Sequence, residues 1–189
     1  MTGTGYTREP KNAQLSDELH QIMHTFTDEL LIGIPTMDPK GNKYKNWSRH
    51  IDRYSKLYPP GRKYYSSLIS RPDCGEWMLN RQYAQAIQAL WIGKSVTFVG
   101  SEIERNKMAK VIEFTQIVHK VECPWYNAYA EIDDLEKQVL EVGNDIAILS
   151  HGVSATCLAA RLAPKMQAVD LGSIGGFLAK MLCGDKWND

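Results

Sequence analysis

The chain carries no net charge at neutral pH, because 22 Lys and Arg balance 22 Asp and Glu over its 189 residues. Taken whole, it offers no long-range field that would draw in nucleic acid, a membrane surface or an acidic partner. Cysteine is sparse. The four cysteines (Cys74, Cys123, Cys157, Cys183) lie far apart and form no Cys-x-x-Cys pair, which argues against a zinc site or a disulfide framework and fits a reducing compartment. No apolar run reaches the ~18–20 residues of a membrane span. The opening stretch Met1-Thr-Gly-Thr-Gly-Tyr-Thr-Arg-Glu-Pro10 lacks the apolar core of a secretion signal. The expected location is cytoplasmic. Internal repeats and low-complexity tracts are missing as well.

Apolar residues make up 43% of the chain, enough for one ordinary core. Residues 1–189 read as a single α/β domain, with 1–14 a loose polar arm and 95–185 a regular nucleotide-binding half. Charge is uneven locally. From Lys40 to Tyr65, eight cations (Lys40, Lys43, Lys45, Arg49, Arg53, Lys56, Arg62, Lys63) accompany one acid, Asp52, a local net of +7 that leaves −7 elsewhere. The same segment interleaves Tyr44, Trp47, Tyr54, Tyr58, Tyr64 and Tyr65.

Periodicity supplies the elements. Ser16-Asp-Glu opens a helix whose apolar stripe is Leu19, Ile22, Met23, Phe26 and Leu30. Leu30–Ile34 is a short strand ended by Pro35. A helix is expected across Trp47–Leu57, a strand over Tyr64–Ser70, and a helix over Glu76–Trp91. Beyond this point strands and helices alternate. Strands are expected at Val96–Val99, Gln116–Val121, Asp145–Ser150 and Gln167–Leu171. Helices are expected at Asn106–Glu113, Tyr126–Val142, Val153–Leu162 and Ile174–Leu182. Such alternation implies βαβ units and a mostly parallel, Rossmann-like sheet flanked by helices.

In open parallel sheets, ligands bind at the carboxyl ends of the strands. Four such ends can be read: Gly100-Ser101, Pro124-Trp-Tyr-Asn127, His151-Gly152-Val-Ser154, and Asp170-Leu-Gly172-Ser173. Gly152 lets the backbone approach a ligand, and Ser154 with the first N–H groups of the next helix can hold a phosphate. The plain alternative is turn chemistry, with Ser154 only a cap. Arg105 is either a phosphate clamp or a solvated side chain. His119 and His151 read more readily as structural histidines than as bases or ligands. Asp170-Leu-Gly172-Ser-Ile-Gly175-Gly176 resembles the acidic Gly-rich loop of S-adenosylmethionine-dependent methyltransferases. That loop follows the first strand of its fold, whereas here only 13 residues follow Gly176.

Several landmarks, in order, resemble the GT-D fold glycosyltransferases. They are Gln14-Leu-Ser-Asp-Glu-Leu19, Leu31-Ile-Gly-Ile-Pro35, Ser70-Arg71, Val96-Thr-Phe-Val-Gly100 with Arg105, Pro124-x-x-Asn127-Ala128, Gly152-Val-Ser-Ala155, and Asp170-Leu-Gly172-Ser-Ile174. The resemblance implies a GT-D-type fold and transfer of a sugar from a nucleotide donor, UDP-sugar above all, to a glycan or other hydroxyl acceptor. It implies that Gly100, Ser101, Arg105, Asn127, Gly152, Ser154, Ala155, Gly172 and Ser173 cradle the nucleotide and its phosphates. Asp170 would be base or orienting carboxylate, and Arg71, Trp47, Arg49 and Arg53 would meet the acceptor.

Two departures from the family pattern stand out. Its Asp-Gly-Glu metal motif has no counterpart in Met1–Ala13, which leaves Mn²⁺ or Mg²⁺ use open; Glu102 and Glu104 are the substitute ligands considered. Asp134-Leu-Glu136 lies in a helix, where residues two apart point about 200° away from each other and do not share an ion. Ser173 stands where the family often has His. Two alternatives accompany the sugar-transfer reading. One is transfer to a hydroxylated DNA base, suggested by the basic aromatic segment. The other is a non-catalytic nucleotide-binding member.

Overall fold

The structure is a computed structural model and describes residues 9–35, 55–67, 81–102, 106, 108, 117–172 and 174–183. Helix α1 is Ala13–His24, and it starts three residues earlier than Ser16 because Asn12, in extended conformation, accepts a hydrogen bond from the Leu15 N–H at 3.2 Å. The supposed loose arm is thus tied down at its end, where Glu9 also accepts from the Tyr129 N–H at 3.1 Å. Of the stripe, Ile22 is buried and Leu19 and Met23 are partly buried; Leu15, one turn earlier, is buried as well. Phe26 belongs to that stripe by spacing but is 55% exposed, because the helix has already ended. The Arg62 guanidinium lies 5.0 Å from its ring centre.

The strand expected over Leu30–Ile34 contracts to β1, Gly33–Ile34, and that over Tyr64–Ser70 to β2, Tyr65–Ser66; the two pair in parallel. Helix α2 is Arg81–Gln88. The principal sheet follows, with β3 at Ser95–Gly100, β4 at Ile117–Glu122, β5 at Ile146–Ser150 and β6 at Gln167–Asp170. All four strands are parallel, in the order β4-β3-β5-β6. Between β4 and β5 a 3₁₀ turn, Ala128–Glu131, leads into α3, Ile132–Val142. The continuous helix expected from Tyr126 is broken because Asn127 adopts the left-handed conformation, with φ 58°. Helix α4, Val153–Leu162, connects β5 to β6, and α5, Ile174–Cys183, follows β6.

Side chains alternate across this sheet with period two. Val99, Val121, Ala147 and Leu149 face one core, shared with Leu15 and Ile22 of α1, Leu135 and Val139 of α3, and Leu158 and Leu162 of α4. Val96, Phe98, Ile146 and Ile148 face the other, shared with Ala84 and Ile87 of α2, Met108, and Leu178 and Ala179 of α5. Helices therefore cover both faces, as buried parallel strands demand.

The order of connections positions the site. From β3 the chain goes to β4 on one side, through a connection whose Met108 lies in the second core. From β5 it goes to β6 on the other side, through α4 in the first core. The winding reverses between β3 and β5. A crevice forms at such a reversal, outside the carboxyl ends of the strands.

Candidate functional site at the sheet rim

Register fixes the rim. Gly100 pairs with both Glu122 and Ser150, and Leu149 pairs with Asp170, so all four strands end at one level. Their following loops start together at the carboxyl edge. Gly100, Asn127, Gly152 and Asp170, drawn from distant parts of the chain, thus belong to one edge of the molecule.

Gly100 is confined by its surroundings. A Cβ there would sit 2.9 Å from Phe98 Cε1 and 3.3 Å from the Ser150 carbonyl oxygen. Gly152 is set by its backbone, with φ 79° and ψ −151°, a combination essentially restricted to glycine. Among the described residues, and leaving aside its two chain neighbours, nothing lies within 4 Å of a Cβ placed on Gly152. It caps α4 without a side-chain partner. The first N–H groups of α4 therefore begin at the crevice, where the helix dipole favours an anion.

The side chains of Ser154 and Ala155 turn into the fold. Ser154 is fully buried, and its hydroxyl donates to the His151 carbonyl at 3.0 Å. The Ala155 N–H donates to the Gly152 carbonyl at 3.1 Å, and its side chain is core. Buried as they are, these side chains leave to an anion at this helix the backbone at the start of α4.

This geometry also assigns the His151 tautomer. The single hydroxyl hydrogen of Ser154 goes to the carbonyl, so its 3.0 Å contact with His151 Nδ1 requires Nδ1–H to donate. Burial holds the imidazole neutral, its pKa lowered to about 4. Nε2 is then a lone-pair acceptor. It is buried and has no hydrogen-bond partner. The sequence reading of a satisfied structural histidine holds for one nitrogen and fails for the other.

Across the reversal point stands Ser101, 5% exposed, whose Oγ is likewise buried and unpartnered. Asn127 Oδ1 and Glu9 Oε2 complete the unpartnered buried polar atoms among the described residues. Three of the four residues belong to loops leaving β3, β4 and β5, and Glu9 is bonded to the turn after β4. Buried polar atoms without partners are rare and costly. Their gathering at one rim marks a place shaped for something else to supply the bonds.

Asp170 has both oxygens engaged within the fold. Oδ2 accepts from the Thr156 hydroxyl at 2.8 Å, and Oδ1 from the Gly172 N–H at 3.0 Å. Burial raises its pKa against the lowering effect of those two bonds. Gly172, with φ 52°, also accepts from the Ser150 hydroxyl. Asp170 therefore ties the loop after β6 to α4, and the Gly172 carbonyl ties it to β5.

A cleft of about 410 Å³ adjoins this rim, lined by Ser101, Glu102, Glu122, Cys123, Pro124, Trp125 and Glu131. Sequence reasoning named Glu102 only as a metal ligand and missed Glu122 and Glu131, which converge only once β3 and β4 pair. His119 sits mid-strand on β4, exposed, and away from the rim. Asp134 and Glu136 are bound apart, to Gln138 at 2.6 Å and to Lys165 at 2.6 Å. Among the described residues, no three His, Cys, Asp or Glu side chains come together to hold a metal ion.

Arg105, Ser173, Arg71, Trp47, Arg49, Arg53 and Glu104 lie outside the described residues. Of the basic segment, Arg62 is described, and it serves the fold rather than an anion. It donates to the carbonyls of Thr25 at 2.6 Å and Leu30 at 3.0 Å. Among the described residues, no helix is long and apolar enough to cross a membrane.

These features define a doubly wound α/β protein whose four strands end at one rim beside its reversal point. The sequence profile described as glycosyltransferase GT-D fold matches residues 1–176, and the chain belongs to that family. A solved structure described as a domain of unknown function 1792 with a distinct glycosyltransferase fold superposes with a TM-score of 0.83 at 26% identity, covering 97% of this chain and 72% of that one. A second, a glycosyltransferase (DUF1792) from Streptococcus sanguinis, superposes with a TM-score of 0.82 over 94% of this chain and 72% of that one. At 21% identity that likeness speaks for the fold alone. Comparison with curated proteins gives no match.

Proposed function

We propose that this protein transfers a sugar from a nucleotide donor, a UDP-sugar, to a hydroxyl of a glycan. The carrying observation is the pair of buried unpartnered atoms, Ser101 Oγ and His151 Nε2, on the two loops flanking the reversal point. In this reading the donor's diphosphate lies at the opening of α4, beside Gly152. Gly100 keeps the neighbouring strand end free of a side chain, and Asp170 holds the loop after β6 in place. In the reaction, the acceptor oxygen forms a bond to the anomeric carbon as the bond from that carbon to the diphosphate oxygen breaks. The acceptor's proton passes to a base, and UDP departs with the extra negative charge. Backbone N–H groups and the dipole of α4 stabilise that charge where it develops. The described acids do not form a divalent-ion site, so no step is assigned to Mn²⁺ or Mg²⁺.

Thermal unfolding tests the donor. UDP or UDP-glucose at 100 times its dissociation constant adds about 2.7 kcal/mol of stability, which raises Tm by roughly 2–4 °C per kcal/mol in a chain of this size. S-adenosylmethionine and NAD leave Tm unchanged. Absence of UDP binding at millimolar concentration overturns the proposal. Binding without donor turnover, with or without added Mn²⁺ or Mg²⁺, makes the chain a nucleotide-binding member without catalysis.

A further inference from the structure

The outer face of α1 carries two histidines one turn apart. His20 and His24 stand four residues apart in the helix, a spacing that brings side chains together on one face, and both are exposed. Their rings are stacked, with centres 4.3 Å apart and planes 28° from parallel. The tautomer of His24 is also fixed. Its Nδ1 lies 2.8 Å from the His20 carbonyl oxygen. A carbonyl only accepts, so Nδ1 carries the hydrogen and, in the neutral ring, Nε2 keeps its lone pair. Imidazoles that bind metals are held in the same way, with the second nitrogen bonded to a carbonyl or carboxylate.

Two histidines at this spacing on one helix face supply two of the ligands in helical zinc sites. An ion about 2.0–2.1 Å from each nitrogen asks the two donor atoms to lie roughly 3 Å apart. Exposed rings with centres already 4.3 Å apart reach that by a small tilt. The electrostatic setting suits a cation. His24 is the last residue of α1, at the negative end of the helix dipole. Between Lys11 and Lys40 the sequence holds no Lys or Arg, while it holds Asp17, Glu18, Asp28, Glu29 and Asp38. Asp17 lies on the same stripe as His24, two turns earlier. Arg62 also reaches this end of the helix, where its guanidinium donates to the carbonyls of Thr25 and Leu30. Glu18 is paired with Arg161.

We infer that His20 and His24 form a two-histidine chelate for a late first-row divalent ion, Ni²⁺, Cu²⁺ or Zn²⁺. Imidazole suits these ions, whereas Mg²⁺ and Mn²⁺ prefer carboxylate and water oxygens. Two protein ligands leave the remaining positions to water, which makes the site reversible. The site stands apart from the sheet rim. Glu9, just before α1, is bonded to the turn after β4, and a helix of 12 residues puts His24 about 16 Å along the axis from its start. The chelate is therefore independent of the sugar-transfer reading.

The test uses the full chain, free of any affinity tag, with Ni²⁺ as the probe. Ni²⁺ is paramagnetic and broadens the NMR signals of the rings it touches. Substoichiometric Ni²⁺ broadens the imidazole signals of His20 and His24, assigned by their loss in His20→Gln and His24→Gln, before those of His50, His119 and His151. In calorimetry each of the two variants weakens Ni²⁺ binding at least tenfold, and His119→Gln leaves it within twofold. Mg²⁺ in large excess does not displace the Ni²⁺. Both positions are exposed and glutamine is a good helix former, so metal-free melting curves confirm that the variants fold. Earlier broadening of another histidine overturns the inference, as does a loss smaller than tenfold in either variant or displacement by Mg²⁺.

Discussion

Gly152 carries more of the site than any side chain near it. Its φ of 79° and ψ of −151° belong essentially to glycine, yet among the described residues beyond its chain neighbours nothing lies within 4 Å of a methyl group placed there. Gly152→Ala is therefore a nearly pure backbone experiment. It is expected to cost about 1–3 kcal/mol from strain, read as a fall in urea midpoint at constant m. A variant as stable as the parent would show that the loop adopts another conformation. Glycine after a buried strand was legible in the sequence. The inward turn of Ser154 was not, because it depends on the His151 carbonyl lying within reach of the hydroxyl. That His151 Nε2 is buried without a partner was equally invisible, since it depends on the neighbours.

Between elements, Arg161 joins three helices. From α4 it pairs with Glu18 of α1 through two bonds, at 2.6 and 2.7 Å, and with Asp133 of α3 at 2.5 Å. Glu18 also accepts from the Tyr129 hydroxyl at 2.6 Å. Arg161 is the main cause of the lowered Glu18 pKa, and burial, aided by Glu18, pushes the Tyr129 hydroxyl up to about 12. Glu18→Gln and Arg161→Ala are each expected to destabilise by about 2 kcal/mol, the scale of hydrogen bonds to charged groups. Their double variant should lose less than the two together, because they remove one shared interaction. Additive losses in denaturant midpoints would show that the bonds contribute separately. Element boundaries were legible where periodicity acts alone, as for Val153–Leu162, which the structure reproduces. They shifted where a single residue decides, as Asn12 does for α1 and left-handed Asn127 does before α3.

For the molecule as a whole, the acid response combines groups of different sign. His151 is depressed from 6.5 to about 4 by burial, so the unfolded chain takes up its proton first. Its contribution is fully present above pH 6.5 and drains away between 6.5 and about 4. Glu18, also lowered, acts in the same direction further down, losing its contribution below 4.5. Asp170 is raised, so its effect runs the other way and favours the fold as pH falls. Stability is therefore expected to decline from pH 6.5 to 4, with about 3 kcal/mol of the loss due to His151. His151→Asn should flatten that limb in urea midpoints measured across the range. An unchanged slope would mean that His151 titrates normally. At this scale the alternation of strands and helices made one shared rim legible. Strand order was not, because nothing local in β4 or β5 says on which side of β3 each will pair.

The central position of β3 has a consequence for how the chain comes together. It is the earliest strand of its sheet along the sequence and also an inner one. Each later strand meets an edge that is already open: β4 on one flank, β5 on the other, then β6 on β5. Strand order therefore lets the sheet assemble in the order of the sequence, with no strand threaded between two that are already zipped.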